Sequence, residues 1–448
     1  MTSAVLGVGT CAGYASGSLV TASFSTVPGL LLLPYLTDTL GVAAALAGVL
    51  AFVPKAWTIL LDPVAGRASD RTVTRIGPRR PFVLGAGLAV AVAFAVMFAG
   101  PAAGAAGAAW VTAAYLAMAS VFAFFQAPYT AMPAEITTDD AERTRLMSWR
   151  VAGIATTVLL TGAFAPAVVR AAGGGLSGFR AMGLVIAALI AAGALLAFFG
   201  TRRAPVGAAP GREPSLARQL RVARGNRPFR RLLWIVTVQS AATGALLAGV
   251  VYLAQHVLAD PGATAVLIPA FTLPAVLLLP VLASVGARSD KRTGVLVSSV
   301  VFVAGALALL YVVEAGGLSA VIAVAVVLGC ANAVQDTFVL AMLPDCIAAD
   351  TARTGRRQAG VFAGLFSAGQ GLGFALGPLL VGLVLQLAGY LPSTSGTAAA
   401  QSGATALGVL VGFAVLPAVL TALSLPAVLA RPDPLQEETC GSTEPSRW

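Results

Sequence analysis

Long apolar runs alternate with short polar stretches along the whole chain. Twelve runs are long enough to cross a bilayer, which takes about 20 mostly apolar residues per helix. They fall at 11–36, 42–66, 82–101, 106–132, 148–169 and 180–200, then at 232–258, 263–286, 294–314, 318–343, 359–388 and 403–430. In hydrocarbon every backbone N–H and C=O must be satisfied within the protein, so only helices or a closed barrel can span it. The runs exceed the roughly 9–11 residues of a barrel strand. The pattern therefore predicts an all-α membrane protein with about twelve transmembrane helices. Prolines inside the runs, such as Pro28, Pro54, Pro128, Pro166 and Pro378, are compatible with this because neighbouring helices satisfy the groups they free. No positively charged segment with a cleavage site precedes the first run, which therefore reads as a true span.

Composition sharpens the class. Hydrophobic residues make up 58% of the 448 and charged residues 10%, against about 25% charged in soluble domains. A soluble domain is excluded. The net charge of +10 raises the question of nucleic acid, and its distribution answers it. The basic residues cluster between runs, at 67–80, 143–150, 202–231, 288–292 and 353–357, while alternate loops hold little beyond Arg170 and Arg180. That alternation is the positive-inside signature. It predicts a multi-pass protein of the cytoplasmic (inner) membrane, with both termini in the cytoplasm, the lipid bilayer as its partner and no nucleic acid bound. The four cysteines, Cys11, Cys330, Cys346 and Cys440, lack metal-ligand spacing. With no phosphate-binding glycine loop and no nucleophile–base pair, nothing points to an enzyme, a metal or a cofactor.

The stretch 201–231 carries nine arginines together with Pro205, Pro210, Pro214 and Pro228. It divides the chain into an N-terminal six-helix bundle (1–200), a basic cytoplasmic linker (201–231), a C-terminal six-helix bundle (232–430) and a polar tail (431–448). The linker's charge reads as a patch facing the lipid surface. The halves repeat. Residues 131–144 read AMPAEITTDDAERT and residues 341–354 read AMLPDCIAADTART. An offset of 210 pairs Glu135 with Asp345, Asp140 with Asp350, Arg143 with Arg353 and Thr144 with Thr354. A weaker echo sets SDRT at 69–72 against SDKRT at 289–293. Parallel six-helix repeats build one large class of transporters, in which the substrate binds between the halves near the midplane.

An ionisable side chain at mid-bilayer costs about 2.5–3.5 kcal/mol on insertion scales, so it is a functional candidate. In the second run Lys55, Thr58 and Asp62 are three and four residues apart and share a helical face. Asp62 can take a coupling proton or, with Thr58, ligate a cation. Lys55, about two turns away, favours the ionised form. A static internal ion pair is the alternative. In the tenth run Asn332, Gln335 and Asp336 have the same spacing. Asp336 has no basic neighbour in sequence and is a second candidate for a protonatable carboxylate, the alternative being a pair with Arg150 or Lys55 across the bundle. Arg150 can grip a hydroxylated or anionic small-molecule substrate through its planar fork. Gln126, Tyr129, Thr130, Gln239, Gln255 and Gln370 are uncharged candidates for lining the cavity, or alternatively helix–helix hydrogen bonds. His256 reads as a satisfied surface histidine.

Residues 62–81 read DPVAGRASDRTVTRIGPRRP. Within them Gly66, Asp70, Arg71, Arg75, Arg79 and Arg80 lie just inside the membrane. An acid there can cap a helix or pair with an arginine of a neighbouring helix, forming a latch that holds one conformation. Topology alone is the alternative. The segment resembles the loop between helices two and three of the glycoside–pentoside–hexuronide:cation symporters, the melibiose permease-like branch of the major facilitator superfamily. The resemblance extends over most of the chain: Leu36 to Gly41, Pro128 to Glu135, Glu142 to Arg145, Asn226 to Phe229, Arg353 to Arg357 and Gly377-Pro378. It implies two pseudo-symmetric bundles, alternating access, a functional monomer, and a gating role for the loop residues together with Glu135, Arg143, Asp345 and Arg353.

The departures from the family pattern bear on substrate. The pattern's pair of helix-two acids falls on Thr58 and Asp62, so one charge is missing and a proton is expected over sodium as coupling ion. The sugar-binding acids fall on Ala22 and Gln126, an aromatic on Thr130, and the helix-eleven lysine on Gln370 or Gly371. Arg150 matches the family's sugar-site arginine, and Asp336 matches no family position. The expectation is a proton-coupled secondary transporter of a sugar, glycoside or related hydroxylated solute. The alternatives are a proton-coupled exporter of an amphipathic small molecule or secondary metabolite, and a non-transporting membrane receptor.

Overall fold

A computed structural model describes residues 6–101, 103–137, 139–204, 224–286, 290–355, 359–394, 401 and 403–430, without the side chains of 140, 141, 279–286, 314, 353 and 359. Most of the linker (205–223), the tail (431–448) and the side chain of Arg353 lie outside the described residues.

Twelve helices long and apolar enough to span a membrane lie among the described residues: α1 Val8–Thr39, α2 Ala44–Asp70, α3 Arg80–Phe98, α4 Gly104–Ile136, α5 Glu142–Ala171, α6 Gly175–Thr201, α7 Arg227–Val257, α8 Pro261–Leu278, α9 Lys291–Val313, α10 Gly317–Ala352, α11 Gly360–Leu387 and α12 Gly403–Leu429. All twelve predicted runs are helices. The largest boundary difference is α10, which continues past 343 to Ala352. That extension is polar and amphipathic, so hydropathy cannot see it, although an i→i+4 ladder carries it.

The repeat predicted from charged residues is present in the backbone. α4 breaks at Met132 and α10 at Met342, 210 residues apart, and prolines follow, Pro133 and Pro344. α1 and α7 both end in a widened turn. Leu40 N–H bonds Tyr35 O at 3.1 Å and Val42 N–H bonds Leu36 O at 2.8 Å; Leu258 N–H bonds Leu253 O and Asp260 N–H bonds Ala254 O, both at 2.9 Å. These two helices are also the most enclosed spans, with 89% and 83% of their apolar windows buried against 28–50% for the others. Large apolar side chains such as Phe164, Leu184 and Tyr311 face outward on the remaining helices. In water such a surface would aggregate; lipid covers it.

α7 and α11 pack backbone against backbone. A Cβ on Gly373 would run into the Thr237 carbonyl, and one on Gly377 into the backbone of Gly244 and Ala245. Small residues permit such contact, which drives association where lipid is as apolar as the side chains. Gly377→Leu is therefore expected to abolish the monodisperse folded peak in fluorescence-detected size-exclusion chromatography, since overpacking against backbone exceeds the usual cost of about 1–3 kcal/mol. Gly371→Ala, where a Cβ would meet nothing within 4 Å, should leave the peak unchanged.

The chain has a basic end, with the 71–79 loop and the start of α5, and a far end. At the far end the two halves meet. Thr37 of α1 bonds Tyr252 of α7 at 2.8 Å, Arg170 at the end of α5 bonds Pro261 O at the start of α8, and Gly382 of α11 packs on Ala44 of α2. Towards the basic end, Gly66 of α2 and Gly360, Gly364 and Gly371 of α11 border open space. α2 and α11, in contact at Gly48 and Gly382, thus leave room beside them towards the basic end.

Candidate functional site

Asp336 sits on α10, about 9 Å of helix rise before the Met342 break. It is exposed to the open space, and its Oδ2 accepts from Asn332 Nδ2 at 3.1 Å. Asn332 is held in turn by Thr243 of α7, whose hydroxyl donates to Asn332 Oδ1 at 2.7 Å. Among the described residues Asp336 has no ion pair, so neither Arg150 nor Lys55 neutralises it. Gln335 does not join this face. It is buried, and its Nε2 donates to Ser299 of α9 at 3.2 Å. Gln239 of α7 donates to the same Ser299 and to Ser424 of α12, each at 3.2 Å. Spacing of three and four places residues within about 100° of one another, which is broad enough for Gln335 to turn into the α7–α9–α12 contact.

On the other side Arg150 of α5 stands over Tyr129 of α4, with 5.3 Å from guanidinium carbon to ring centroid. Tyr129 is fully buried, stacks on Tyr14 at 4.9 Å and donates to Tyr14 O at 2.7 Å. It supports Arg150 as a cation–π platform and does not line the cavity as expected. Thr130 donates to Gln126 O at 2.9 Å within its own helix, so its hydroxyl proton is taken. Gln126 is half-buried, and its Oε1 has no hydrogen-bond partner. Gln370 is half-buried on α11, next to the open space at Gly371.

In α2 the Lys55 ammonium approaches Ser25 O of α1 at 3.5 Å. Thr58 donates to Lys55 O at 2.7 Å. Asp62 is half-buried and lies seven residues, or two turns, from Lys55 on the same face.

At the basic end Arg79 is buried between two acids. Its guanidinium is 3.5 Å from Asp70 at the end of α2 and 2.6 Å from Glu135 at the end of α4. Arg80 is also buried and donates to Ile76 O at 3.0 Å and Ala204 O at 2.5 Å, joining the start of α3 to the end of α6. Arg71 and Arg75 are exposed, Gly66 and Arg143 half-buried. In the other half Lys291 of α9 bonds Asp345 of α10 at 2.7 Å. The echo of Asp70, Asp290, does a different job. It lies directly before α9 and caps it, accepting from Thr293 Oγ1 at 2.6 Å. That hydroxyl, more than anything else, holds the Asp290 carboxyl below its ordinary range.

Sequence reasoning named Asp345 but not Lys291, its partner. It also left Asp336 without a counterpart. The register of 210 that aligns the two helix breaks sets Asp336 opposite Gln126, so the offset already contained this relation. Asp38, within the Leu36 to Gly41 segment, carries no signal in the sequence beyond that resemblance. His256, read as a surface residue, is half-buried and bonds Tyr390.

Twelve spans in repeated halves, closed at one end around ionisable and amide side chains, define a secondary transporter of the major facilitator type. The chain belongs to the MFS/sugar transport protein family, which matches residues 13–430. The glucuronide carrier protein homolog of Escherichia coli (strain K12) is 26% identical over 85% of this chain and 84% of its own. YagG of the same organism, provisionally named a glycoside/cation symporter, is 33% identical over 31% of this chain and 30% of its own. The uncharacterized symporter YnaJ of Bacillus subtilis (strain 168) is 24% identical over 92% and 89%. Among solved structures, a bacterial homolog of the human lysosomal transporter Spinster, inward-facing and occupied, superposes with a TM-score of 0.65 at 14% identity, covering 94% of each chain. That likeness concerns the fold.

Proposed function

We propose that the protein is a proton-coupled symporter that carries a glycoside or related hydroxylated solute across the cytoplasmic membrane by alternating access. Asp336 is the carboxylate at the centre of this reading. It is a deep, exposed acid with no ion pair among the described residues, oriented by Asn332. Ionised, it accepts hydrogen bonds from substrate hydroxyls; protonated, it is neutral and can cross with the cavity's reorientation. From the opposite half Arg150, held on the Tyr129 ring, supplies donors, and Gln126 an unpartnered amide oxygen that can accept. Gln370 and Asn332 add amides. Lys55 on the face that carries Thr58 and Asp62 opposes a second cation there, which supports a proton over sodium. The names of YagG and the glucuronide carrier homolog support a glycoside.

In this reading residues 1–200 and 232–430 are the two rocking bundles, 201–231 links them, and the monomer is the functional unit. The basic end and both termini face the cytoplasm, following the positive-inside rule. No cofactor besides the coupling proton takes part.

The test is purified protein in liposomes loaded with a pH-sensitive dye, challenged with a panel of glycosides, glucuronides and amphipathic metabolites. A glycoside-dependent proton influx is the expected result. A response confined to amphipathic metabolites would replace this reading with that of an exporter.

A further inference from the structure

The far end carries a buried polar chain that the substrate site does not use. Tyr390, just after α11, donates to Asp38 Oδ1 at 2.6 Å. Thr37 donates to the same oxygen at 2.9 Å, closer than the carbonyls of Leu33 and Pro34 at 3.2 and 3.5 Å. Tyr252 of α7 lies 2.8 Å from the Thr37 hydroxyl, and His256 Nε2 lies 2.9 Å from the Tyr390 hydroxyl. Ser393 N–H closes the group onto Thr37 O at 2.9 Å.

Proton accounting gives this chain a direction. Tyr390 spends its one proton on Asp38 and so accepts from His256, which must carry its proton on Nε2. Thr37 does likewise and accepts from Tyr252. Both branches run inward and end on a single carboxylate oxygen. Burial first, and then the charge of Asp38, push the Tyr390 phenol well above its ordinary range, which keeps it a donor. An ionised acceptor roughly doubles the strength of such bonds.

Asp38 is 6% exposed and its Oδ2 has no hydrogen-bond partner. No ion pair reaches it among the described residues. Among the described residues the groups that face it are Thr37 from α1, Tyr252 from α7 and Tyr390 after α11, with His256 of α7 behind Tyr390. The cations of this end are engaged elsewhere: Arg180 donates to Gly100 O at 2.7 Å and Arg170 to Pro261 O. Asp260 accepts from Gly262 N–H at 2.8 Å. Tyr35, one turn back, packs between Phe98 and Phe179.

The two widened turns are what bring these groups together. Thr37 and Asp38 lie in the turn that ends α1, and Tyr252 and His256 lie in and beside the corresponding turn of α7. The contact therefore joins the N-terminal half to the C-terminal half at the closed end, and it has to part when that end opens.

We propose that Asp38 is a second proton site, a latch on the external gate: ionised, it holds α1 against α7 and the end of α11, and a proton bound on Oδ2 releases it. Proton binding from outside then opens the cavity outward, where solute and the coupling proton can load. The inference rests on the alternating-access reading above but not on the substrate.

The experiment places spin labels at Ala105→Cys and Ser319→Cys, both exposed at the far-end starts of α4 and α10. The full chain, with its native cysteines replaced by alanine, is held in nanodiscs without substrate. Pulsed dipolar spectroscopy then reports the separation of the halves at pH 8 and pH 5. Nanodiscs expose both faces, so neither sidedness nor substrate identity enters. Acidification should shift the population towards the long distance. Asp38→Asn should favour the long distance by about tenfold or more at both pH values, the usual worth of bonds to a charged group. Tyr390→Phe, which keeps the ring and removes the donor, should shift it in the same direction. His256→Gln should retain the response to pH. An Asp38→Asn protein that keeps the wild-type distances and pH response overturns the proposal. So does a pH response that vanishes in His256→Gln and survives in Asp38→Asn. Should Asp38→Asn fail to fold, the Tyr390→Phe distances decide, and an unshifted population there counts against the latch.

Discussion

Asp336→Asn should abolish uphill accumulation of substrate in energised vesicles while sparing exchange at equal concentrations. A proton crossing with the membrane potential contributes about 2.3 kcal/mol per 100 mV, which supports roughly 50-fold accumulation. A side chain that no longer titrates cannot couple to that term, so the accumulation ratio should fall to about 1. The carboxamide keeps a hydrogen-bonding group beside Asn332, and substrate should therefore still bind and exchange. Asp62→Asn provides the comparison, because Asp62 shares its helix face with Lys55 whereas Asp336 has no ion pair among the described residues. Full proton-driven accumulation in Asp336→Asn would remove Asp336 from the coupling role. A further variant follows from the repeat. Gln126→Asp combined with Asp336→Asn moves the carboxylate to the equivalent helix of the other half, and recovered coupling would show that the halves are interchangeable at this position.

The second large effect is expected at the basic end, and it should differ between the halves. Arg79 is 2% exposed and serves both Asp70 and Glu135. Arg79→Ala removes the ion-pair partner of buried Glu135 and leaves only the charge of nearby Arg80, where breaking a buried pair typically costs about 3–5 kcal/mol. If the latch exists in only one conformation, that energy moves the conformational equilibrium by roughly 100-fold or more. Initial transport rates should fall accordingly, and the thermal midpoint should drop. Lys291→Ala removes the corresponding pair of the other half, but Lys291 and Asp345 are 32% and 51% exposed. Exposed pairs contribute about 0–1 kcal/mol, so the rate should change by less than about fivefold. Glu135→Gln in the Arg79→Ala background removes the orphaned charge and should recover part of the lost stability. Equal rate losses for Arg79→Ala and Lys291→Ala would refute a latch that depends on burial.

Much of the architecture was legible because lipid leaves the backbone few choices. A run of about 20 apolar residues has to be a helix, and each of the twelve predicted runs is one. The repeat was legible for a different reason. Charges in short loops are sparse against an apolar background, so an aligned Glu135 and Asp345 or Arg143 and Arg353 stands out. The same offset placed the breaks at Met132 and Met342, which hydropathy does not register.

The sites divide along the same line. Lys55, Asp62, Arg150 and Asp336 could be picked out because a charge inside an apolar run is costly. Gln335 and Tyr129 could not be assigned. Helical spacing gives a face to within about a third of a turn, whereas the partner is chosen by which neighbouring helix lies there. Ser299 of α9 captures Gln335, and Tyr14 of α1 captures Tyr129. Asp38 was harder still, because it closes a hydrogen-bond chain with residues more than 200 and 350 positions away, Tyr252 through Thr37 and Tyr390 directly.

The sequence by itself determined the solvent, the helices, their number and the twofold repeat, since each follows from local composition and the requirement to satisfy the backbone in lipid. The tertiary structure alone decided which intramembrane charges are paired and which stand unneutralised, and which end of the cavity is closed. Those properties depend on distances between helices remote in the chain, and composition carries no information about them.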